Sequence, residues 1–483
     1  MQIHRFAFFL LFLFVALTGS AQKALPVLRV TMDGAFEAGM DYRNGRMQLT
    51  DTDGSQVALC AKFKTRGATA REYMMKPSFN MKLRNEAYSE ELDSALLGMR
   101  SCSSWILDAM AIDRICMRNR VAFDIWNSFS HLPYETDFGG RCGTVGRFVE
   151  VYVNDVYYGI YCLTDRINRK LLNLKKVKMQ EDGTPLVRGV LYKSGTQDIL
   201  NQNSPCYSPD SVACVIEWHN AWELSYPEDY AGRVAWAPLQ EAILEGNDVA
   251  YVKQHFYLQN LADNQIHLMA LSIVDNWGNK NRFISVRNIH KDINDPDPTE
   301  ADRRRMVVLP WDLDTSLGGQ YDGSCYDGNY SDWPVADIMK RGPYPFSVLL
   351  GDDEYLALLR ETWLRARRGA LSVDSVRNRL AAYRDLFLES GAWKRMTDHF
   401  DAQAVRPCYV RDLAREVTLV GEWYERRFRE MDAYFGIVDG LSAPSVPEAP
   451  AAGERLSDLQ GRPVSASDSR RGVYLRRGRK FVR

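Results

Sequence analysis

The sequence predicts an α+β protein in which a strand-rich lobe is followed by a helical lobe. Residues 26–60 and 146–167 alternate apolar and polar side chains between turn residues, as half-buried strands do. From Asp248 onward the apolar residues recur mostly at helical spacing. Because each layer must bury its apolar face against another, we place the strand-rich lobe at 24–165 and the helical lobe at 166–437, with a cleft between them.

The chain begins with a segment that we exclude from the fold, residues 1–21, MQIHRFAFFLLFLFVALTGSA. Arg5 gives this segment a positive start, residues 6–17 form an apolar core, and small residues follow as far as Ala21. This is the pattern of a secretory signal peptide, which is too short for a stable membrane span. We therefore expect cleavage near Ala21-Gln22, transit through a periplasm, and a secreted or cell-surface mature chain without a membrane span.

Composition limits the classes of partner. The formal net charge is −1, so we expect no overall electrostatic attraction to nucleic acid. The nine cysteines are irregularly spaced, and no pair of them has the spacing of zinc ligands. Cys206 and Cys214 bracket a polar loop, and they either form a disulfide or remain thiols like most of the others.

The strand-rich lobe contains several strand patterns and one helical pattern. The segment VLRVTM is followed by a hairpin signal at Asp53-Gly54, and AKFKTRG and FNMKLRN continue the alternation. Residues 113–129 instead place apolar side chains at helical spacing. The segment GRFVEVYVNDVYYGIYCLTDRI, at 146–167, predicts a hairpin because β-branched and aromatic residues alternate with polar ones on both sides of its turn.

The helical lobe opens with a polar, irregular stretch at 195–235, which we interpret as an insertion. Helical patterns follow, interrupted by a strand at RFISV, and the last one ends at Gly436, a typical helix-terminating residue. Residues 438–454 have the composition of a linker, and 455–483 predict a short β-rich tail.

Two acidic residues stand at the end of a predicted strand in MVVLPWDLDTSLGG, residues 306–319. Asp312 and Asp314 are two positions apart, so both carboxylates lie on one side of an extended backbone. Paired carboxylates before two glycines suit an oxygen-seeking cation such as Mg²⁺ or Ca²⁺. The alternative is an ordinary loop with a helix-capping aspartate.

A second polar cluster lies in SIVDNWGNKNRFISV, between a predicted helix and a predicted strand. Asp275 comes first, and Asn279, Lys280 and Asn281 follow. An aspartate, then an amide, then a strand and another acid is the order in which phosphoryl-transfer enzymes place a hydroxyl-orienting acid and metal ligands. The alternative is an amide-rich loop held by Asx turns.

Six segments follow one another along the chain: KFKTRGATA, KPSFNMKL, LLGMRSCSSWILDAMAIDRICMRNRVAFDIW, VEVYVNDVYYGIYCLTDRI, DNWGNKN and PWDLD. In this order they resemble the CotH kinase family of secreted and spore-coat proteins over roughly residues 30–435. The resemblance implies a divergent protein-kinase-like fold of two lobes. It also implies transfer of the ATP γ-phosphate to Ser/Thr hydroxyls of a protein substrate, with Mg²⁺, or alternatively Ca²⁺ or Mn²⁺, as the metal.

The resemblance also assigns roles to individual residues. It makes Asp275 and Lys280 the catalytic candidates. The candidates for binding metal are Asn279, Asn281, Asp312 and Asp314. The candidates for binding nucleotide are Arg66, Lys76, Asp165 and Lys193. Lys76 is the preferred phosphate ligand, as a residue of an early strand before a helix, and residues 161–165 would connect the lobes near the adenine.

Two other functions remain open at this point. The same fold can serve as a non-catalytic cell-surface or scaffold-associated binding protein, or as a Ca²⁺-stabilised carbohydrate-associated module. The tail, LSDLQGRPVSASDSRRGVYLRRGRKFVR, resembles C-terminal segments of exported Bacteroidetes proteins, some of which are sorting signals. We therefore expect an exported or surface-located protein substrate and no nucleic-acid partner.

Overall fold

The structure is a computed structural model, and its description covers most of the chain after the first 23 residues. The described residues are 24–34, 39–67, 76–194, 222–227, 233–245, 248–276, 282–288, 292–293, 305–340, 346–402, 409–437, 456–458, 463–464, 473–476 and 479–482. The predicted signal peptide, Cys206 and Cys214 lie outside them.

The first seven strands form a closed barrel. They are β1 to β7: Val27–Met32, Arg43–Thr50, Gln56–Arg66, Ser78–Arg84, Ser104–Asp108, Gly146–Val153 and Val156–Asp165. Their order is β1-β2-β3-β4-β5-β7-β6, and all neighbours are antiparallel except β1 and β6, which pair in parallel and close the barrel. The sequence predicted six of these strands, but neither β5 nor the closure into a barrel.

Alternation along each strand fills the interior of the barrel. In β1, Leu28 and Val30 are buried whereas Arg29 and Thr31 are exposed. The same pattern in the other strands delivers a compact group of large apolar side chains to the interior, among them Phe63, Phe79, Met81, Trp105, Tyr161 and Leu163. These side chains form a hydrophobic core inside the barrel. Burying each of them stabilises the folded state by about 1.5–3 kcal/mol.

Among the described residues, the first helix along the chain is α1, Arg118–Trp126, which is shorter than the helical pattern at 113–129. Asp113 explains where it starts. Its Oδ2 accepts the backbone N–H groups of Met117 at 2.8 Å and Arg118 at 2.7 Å, which would otherwise lack partners at the helix end. A short helix, α2, follows at Glu135–Phe138.

A second, four-stranded sheet lies further along the chain. Its strands are Gly189–Ser194 (β10), Trp222–Tyr226 (β11), Arg282–Arg287 (β12) and Val307–Pro310 (β13), in the order β11-β10-β12-β13. A two-stranded ribbon precedes it, Lys178–Met179 (β8) and Pro185–Leu186 (β9). Because β12 pairs antiparallel with β13, the chain before β12 and the chain after β13 meet at the same end of the sheet.

Helices dominate the rest of the chain. They are α3 to α11: Arg233–Glu245, Val249–His255, Leu258–Leu271, Val335–Lys340, Phe346–Leu349, Asp353–Ala366, Val373–Glu389, Ala392–Ala402 and Leu413–Tyr434. Helix α5, Leu258–Leu271, is buried at every residue from Asn260 onward and ends at Ser272, which adopts the left-handed conformation. The mixed α+β prediction is therefore confirmed.

The chain divides into two compact units, Met1–Phe428 and Arg429–Arg483. Within the second unit, four short strands form an antiparallel sheet in the order β15-β14-β16-β17: Leu456–Asp458 (β14), Pro463–Val464 (β15), Val473–Arg476 (β16) and Arg479–Val482 (β17). Among the described residues, none of the helices combines the length and apolar character needed to cross a bilayer. Five of the described cysteines are buried thiols, namely Cys60, Cys102, Cys116, Cys142 and Cys162.

Candidate active site

The acidic loop Trp311–Asp314 leaves the end of β13 in a backbone conformation that few residues adopt. Asp312 has a φ of 61°, in the left-handed region that aspartate tolerates better than most side chains. Leu313 is fully buried and anchors the loop to the interior. Asp312 and Asp314 flank this anchor, and each is half-buried as a residue.

The structure brings this acidic loop against the segment that contains Asp275. The Asp275 backbone N–H donates to Thr315 Oγ1 at 3.2 Å. The Asn276 side-chain Nδ2 donates to the carbonyl oxygen of Asp312 at 3.0 Å. The described start of the second polar cluster, Asp275 and Asn276, therefore contacts the acidic loop at the end of the sheet where β12 begins and β13 ends.

The acids of this site repel one another. Burial raises the pKa of Asp314 well above its usual range, and the neighbouring charges of Asp312, Asp108 and Asp275 raise it further. Because a raised carboxyl pKa reports a shortage of nearby positive charge, this donor set is chemically suited to a cation. Within the described residues, however, no group of three His, Cys, Asp or Glu side chains is arranged closely enough to hold a metal ion.

Two residues that the sequence analysis did not single out connect the acidic loop to the barrel. Asn119, on α1, accepts the Leu313 N–H on Oδ1 at 3.2 Å and donates from Nδ2 to Asp108 Oδ2 at 2.7 Å. Asp108 is the last residue of β5 and also accepts the Met110 N–H at 3.0 Å. One amide therefore holds the acidic loop in register with the barrel.

A small cavity of about 40 Å³ lies at this junction. Arg66, Asp108, Asn119 and Asp312 are among the side chains that line it. The Arg66 guanidinium lies over the Trp311 ring at 5.2 Å. Burial lowers the pKa of Arg66, and the charges of Asp108 and Asp312 oppose that effect. Arg66 is thus placed beside the acidic loop.

Lys193 lies near the same acids. Its pKa is lowered by burial, an effect that Glu223 and Asp312 oppose and Arg66 reinforces. The Lys193 Nζ is 3.9 Å from a Glu223 carboxylate oxygen. Lys193 and Arg66 are therefore the two predicted nucleotide-binding residues whose charges interact with Asp312.

Lys76 has different surroundings from those the sequence suggested. It lies just before β4 and is followed by strands, so the expectation of a helix next in the chain was wrong. Its fully buried Nζ donates to the carbonyl oxygen of Ala109 at 2.9 Å and to that of Ile160, and it lies 3.6 Å from Met396 Sδ. Burial lowers the pKa of Lys76 to about 8. In this conformation the ammonium group binds the protein's own backbone.

Asp165 is likewise occupied by internal contacts. Its Oδ2 accepts from Arg100 Nε at 2.7 Å and Arg141 Nη2 at 2.8 Å, and its Oδ1 accepts the Val145 N–H at 2.8 Å. The side chain is fully buried. These contacts favour a structural role, and residues 161–165 belong to β7 of the barrel rather than to a connection between lobes.

Three predicted site residues, Asn279, Lys280 and Asn281, lie outside the described residues. They belong to the short segment between Asn276 and β12. Their roles therefore stay predictions.

Comparison with models of protein families gives a match. The family model described as CotH kinase protein matches residues 63–431, which include the barrel from β3 onward, the acidic loop and most of the helices. A search among curated proteins finds no match.

Proposed function

This chain belongs to the CotH kinase family, and on that premise we propose that it transfers the γ-phosphate of ATP to Ser/Thr hydroxyls of a protein substrate. The observation that carries the proposal is the contact between the Asp275–Asn276 segment and the Asp312–Thr315 loop. Phosphoryl transfer demands little covalent chemistry from a protein, but it requires an acid, metal ligands and cationic groups held around the phosphates.

The roles in this proposal are those that the family resemblance implies. Asp275 orients the substrate hydroxyl and accepts its proton, while Asp312 and Asp314 would hold the divalent cation. That cation, Mg²⁺ or alternatively Ca²⁺ or Mn²⁺, would neutralise the phosphate charge when bound. Asn279 and Asn281 complete the ligand set in this proposal, and Lys280 assists Asp275.

The nucleotide phosphates would lie toward Arg66 and Lys193. Both cations interact with Asp312, so a phosphate placed between them and the acidic loop meets positive charge on one side and the bound metal on the other. Lys76 could join them only by leaving its backbone carbonyls. Asp165 would support the site indirectly, by bracing the end of β7.

In this proposal the barrel and its extensions, 24–165, serve as the first lobe, and 166–437 form the second, followed by a linker at 438–454 and a tail at 455–483. We further propose that residues 1–21 are a cleaved signal peptide and that the mature protein acts outside the cytoplasm on an exported or surface-located substrate. The tail would act as a sorting signal.

The competing function is a non-catalytic surface or scaffold-associated protein that uses the same fold for binding. The observation that favours it is the internal engagement of two predicted nucleotide ligands, Lys76 by backbone carbonyls and Asp165 by two arginines. A binding protein needs no phosphate transfer, so metal-dependent transfer of phosphate separates the two functions.

The test is the substitution Asp312→Asn. Asparagine tolerates the left-handed backbone at this position, so the fold should survive while one carboxylate is lost. We expect ATP to raise the melting temperature of the wild-type protein only with Mg²⁺, and Asp312→Asn to lose that shift. Phosphate transfer to a mixture of exported proteins should fall by about 100-fold or more, the scale for one electrostatic group in an active site.

Asp374→Asn is the matched control, because it removes one carboxylate from the exposed first turn of α9. It should behave as the wild type in both assays. Equal nucleotide binding and phosphate transfer in Asp312→Asn and wild type would refute the kinase proposal, whereas nucleotide binding without any transfer would favour the binding protein.

A further inference from the structure

A second cleft lies away from the acidic loop, where the end of α1, the start of α5 and the end of α8 come together. Its volume is about 400 Å³, within the range of sites that hold small ligands. Its lining residues are mostly small or apolar, with one carboxylate among them. The lining side chains include Phe129, His131, Tyr257, Asp263, Arg365 and Ala370.

Among the described residues that line this cleft, Asp263 is the single acid, and its side chain is 2% exposed. Its Oδ1 accepts hydrogen bonds from Gln259 Nε2 at 2.9 Å and from Arg365 Nη2 at 2.8 Å, and the Ser130 hydroxyl is a third donor beside the carboxylate. A carboxylate has about four acceptor positions on two oxygens, so Oδ2 retains capacity for another donor.

Arg365 compensates the charge of this carboxylate incompletely. Its side chain is 53% exposed, so water weakens the ion pair. Burial raises the pKa of Asp263 to about 6, even though Gln259, Arg365, Ser130 and His131 act in the opposite direction. A buried carboxylate that remains short of positive charge, and that the proposed phosphotransfer does not use, suits a ligand that supplies that charge.

We propose that this cleft binds an organic cation, a primary ammonium or guanidinium group on an apolar stem, with Asp263 as its counter-ion. The cation donates to Oδ2, and the stem lies against Phe129, Tyr257 and Ala370. The stem needs apolar walls because its burial, together with the charge-assisted hydrogen bond, supplies the affinity. The ligand is either a free amine or a basic side chain of a protein.

The binding should weaken at low pH. The ligand needs an ionised Asp263, and at pH 5 a group with a pKa of about 6 is ionised in roughly one molecule in eleven, which raises the apparent Kd about tenfold. The other charged or titratable groups around Asp263 are Arg365, His131, Tyr355 and Cys142. His131→Gln is therefore included as a background, so that the imidazole cannot account for the pH effect.

The experiment is isothermal titration calorimetry of the full chain with n-butylguanidinium, n-butylammonium and the neutral isostere n-butylurea, at pH 7.5 and pH 5. We expect the two cations to bind and the urea not to. Asp263→Asn should weaken cation binding by about tenfold or more, the loss of a hydrogen bond to a charged group. Asp374→Asn, a surface acid, should leave the binding unchanged.

Ala370→Phe supplies an independent variant, because it fills the cleft without touching the carboxylate. It should also abolish binding. A blocked Gly-Arg-Gly peptide identifies the source of the ligand: tighter binding than n-butylguanidinium indicates a protein side chain, and weaker binding indicates a free amine. The proposal is overturned if neither cation binds the wild type, if Asp263→Asn binds as the wild type does, or if Ala370→Phe keeps the binding.

Discussion

Replacing Asp263 by asparagine should alter the way in which the stability of this protein depends on pH. The carboxyl group is nearly fully buried, and burial raises its pKa from 3.8 to about 6. The folded state therefore holds the Asp263 proton more tightly than the unfolded chain does. Stability contributed by this group is greatest at low pH and is lost as the pH rises through 6.

The magnitude follows from the shift. A difference of about two pKa units corresponds to about 3 kcal/mol over the whole titration, at about 1.4 kcal/mol for each unit. Between pH 4 and pH 7 the unfolded group is already mostly ionised, so about 2 kcal/mol of this total should be seen. Asparagine does not titrate, and it keeps an acceptor for Arg365.

The assay is urea unfolding of wild type and Asp263→Asn at pH 4, 5, 6 and 7, with the free energy of unfolding of one subtracted from that of the other. Subtraction removes the contribution of every other carboxyl group, provided that these groups titrate independently of Asp263. We expect the wild type to lose about 2 kcal/mol relative to the variant between pH 4 and pH 7. A difference that stays constant, or that favours the wild type as the pH rises, would show that Arg365 outweighs burial and would refute the reasoning.

Two further predictions concern the candidate active site and its neighbour. Asn119→Ala removes the side chain that bonds the Leu313 N–H and the Asp108 carboxylate, so it should destabilise the protein by about 1–3 kcal/mol in urea unfolding. It should also weaken the Mg²⁺-dependent thermal shift with ATP. The control Asn127→Ala removes one hydrogen bond near the same helix without reaching the loop, so it should lower stability and leave that shift intact. Burial lowers the pKa of Lys76 to about 8. The free energy of unfolding of the wild type should therefore rise by about 2 kcal/mol relative to that of Lys76→Met between pH 7.5 and pH 9.5. If it does not rise, the ammonium group is not held as the structure describes.

Local patterns in the sequence predicted the elements better than their assembly. The strand at β1, the turn at Asp53-Gly54 and the β6–β7 hairpin follow from alternation and turn chemistry, which act over a few residues. Barrel closure depends on the parallel pairing of β1 with β6, and no local pattern in either strand specifies its partner. The α+β class was therefore predictable, whereas the barrel was not.

The candidate site shows the same limit. The order of Asp275 and Asp312 around a strand suggested that their segments meet, and they do. No sequence pattern indicated that Asp108 and Asn119 hold the acidic loop, because a single aspartate at a strand end and a single asparagine in a helix are common in any protein. The family resemblance made Asp165 a nucleotide-binding candidate, and no local pattern indicated that Arg100 and Arg141, which are distant in sequence, would enclose it.

The parallel seam between β1 and β6 also bears on how the chain is made. During synthesis β1 can pair with β2 early, but its other edge waits until the β6–β7 hairpin has left the ribosome. Until then the nascent chain carries an open strand edge, the kind of surface on which chains join one another. Pairing of β1 with the distant β6 gives the barrel a high contact order, so this pair forms late in folding. Any agent that covers the unpaired edge of β1 until then should raise the yield of folded protein.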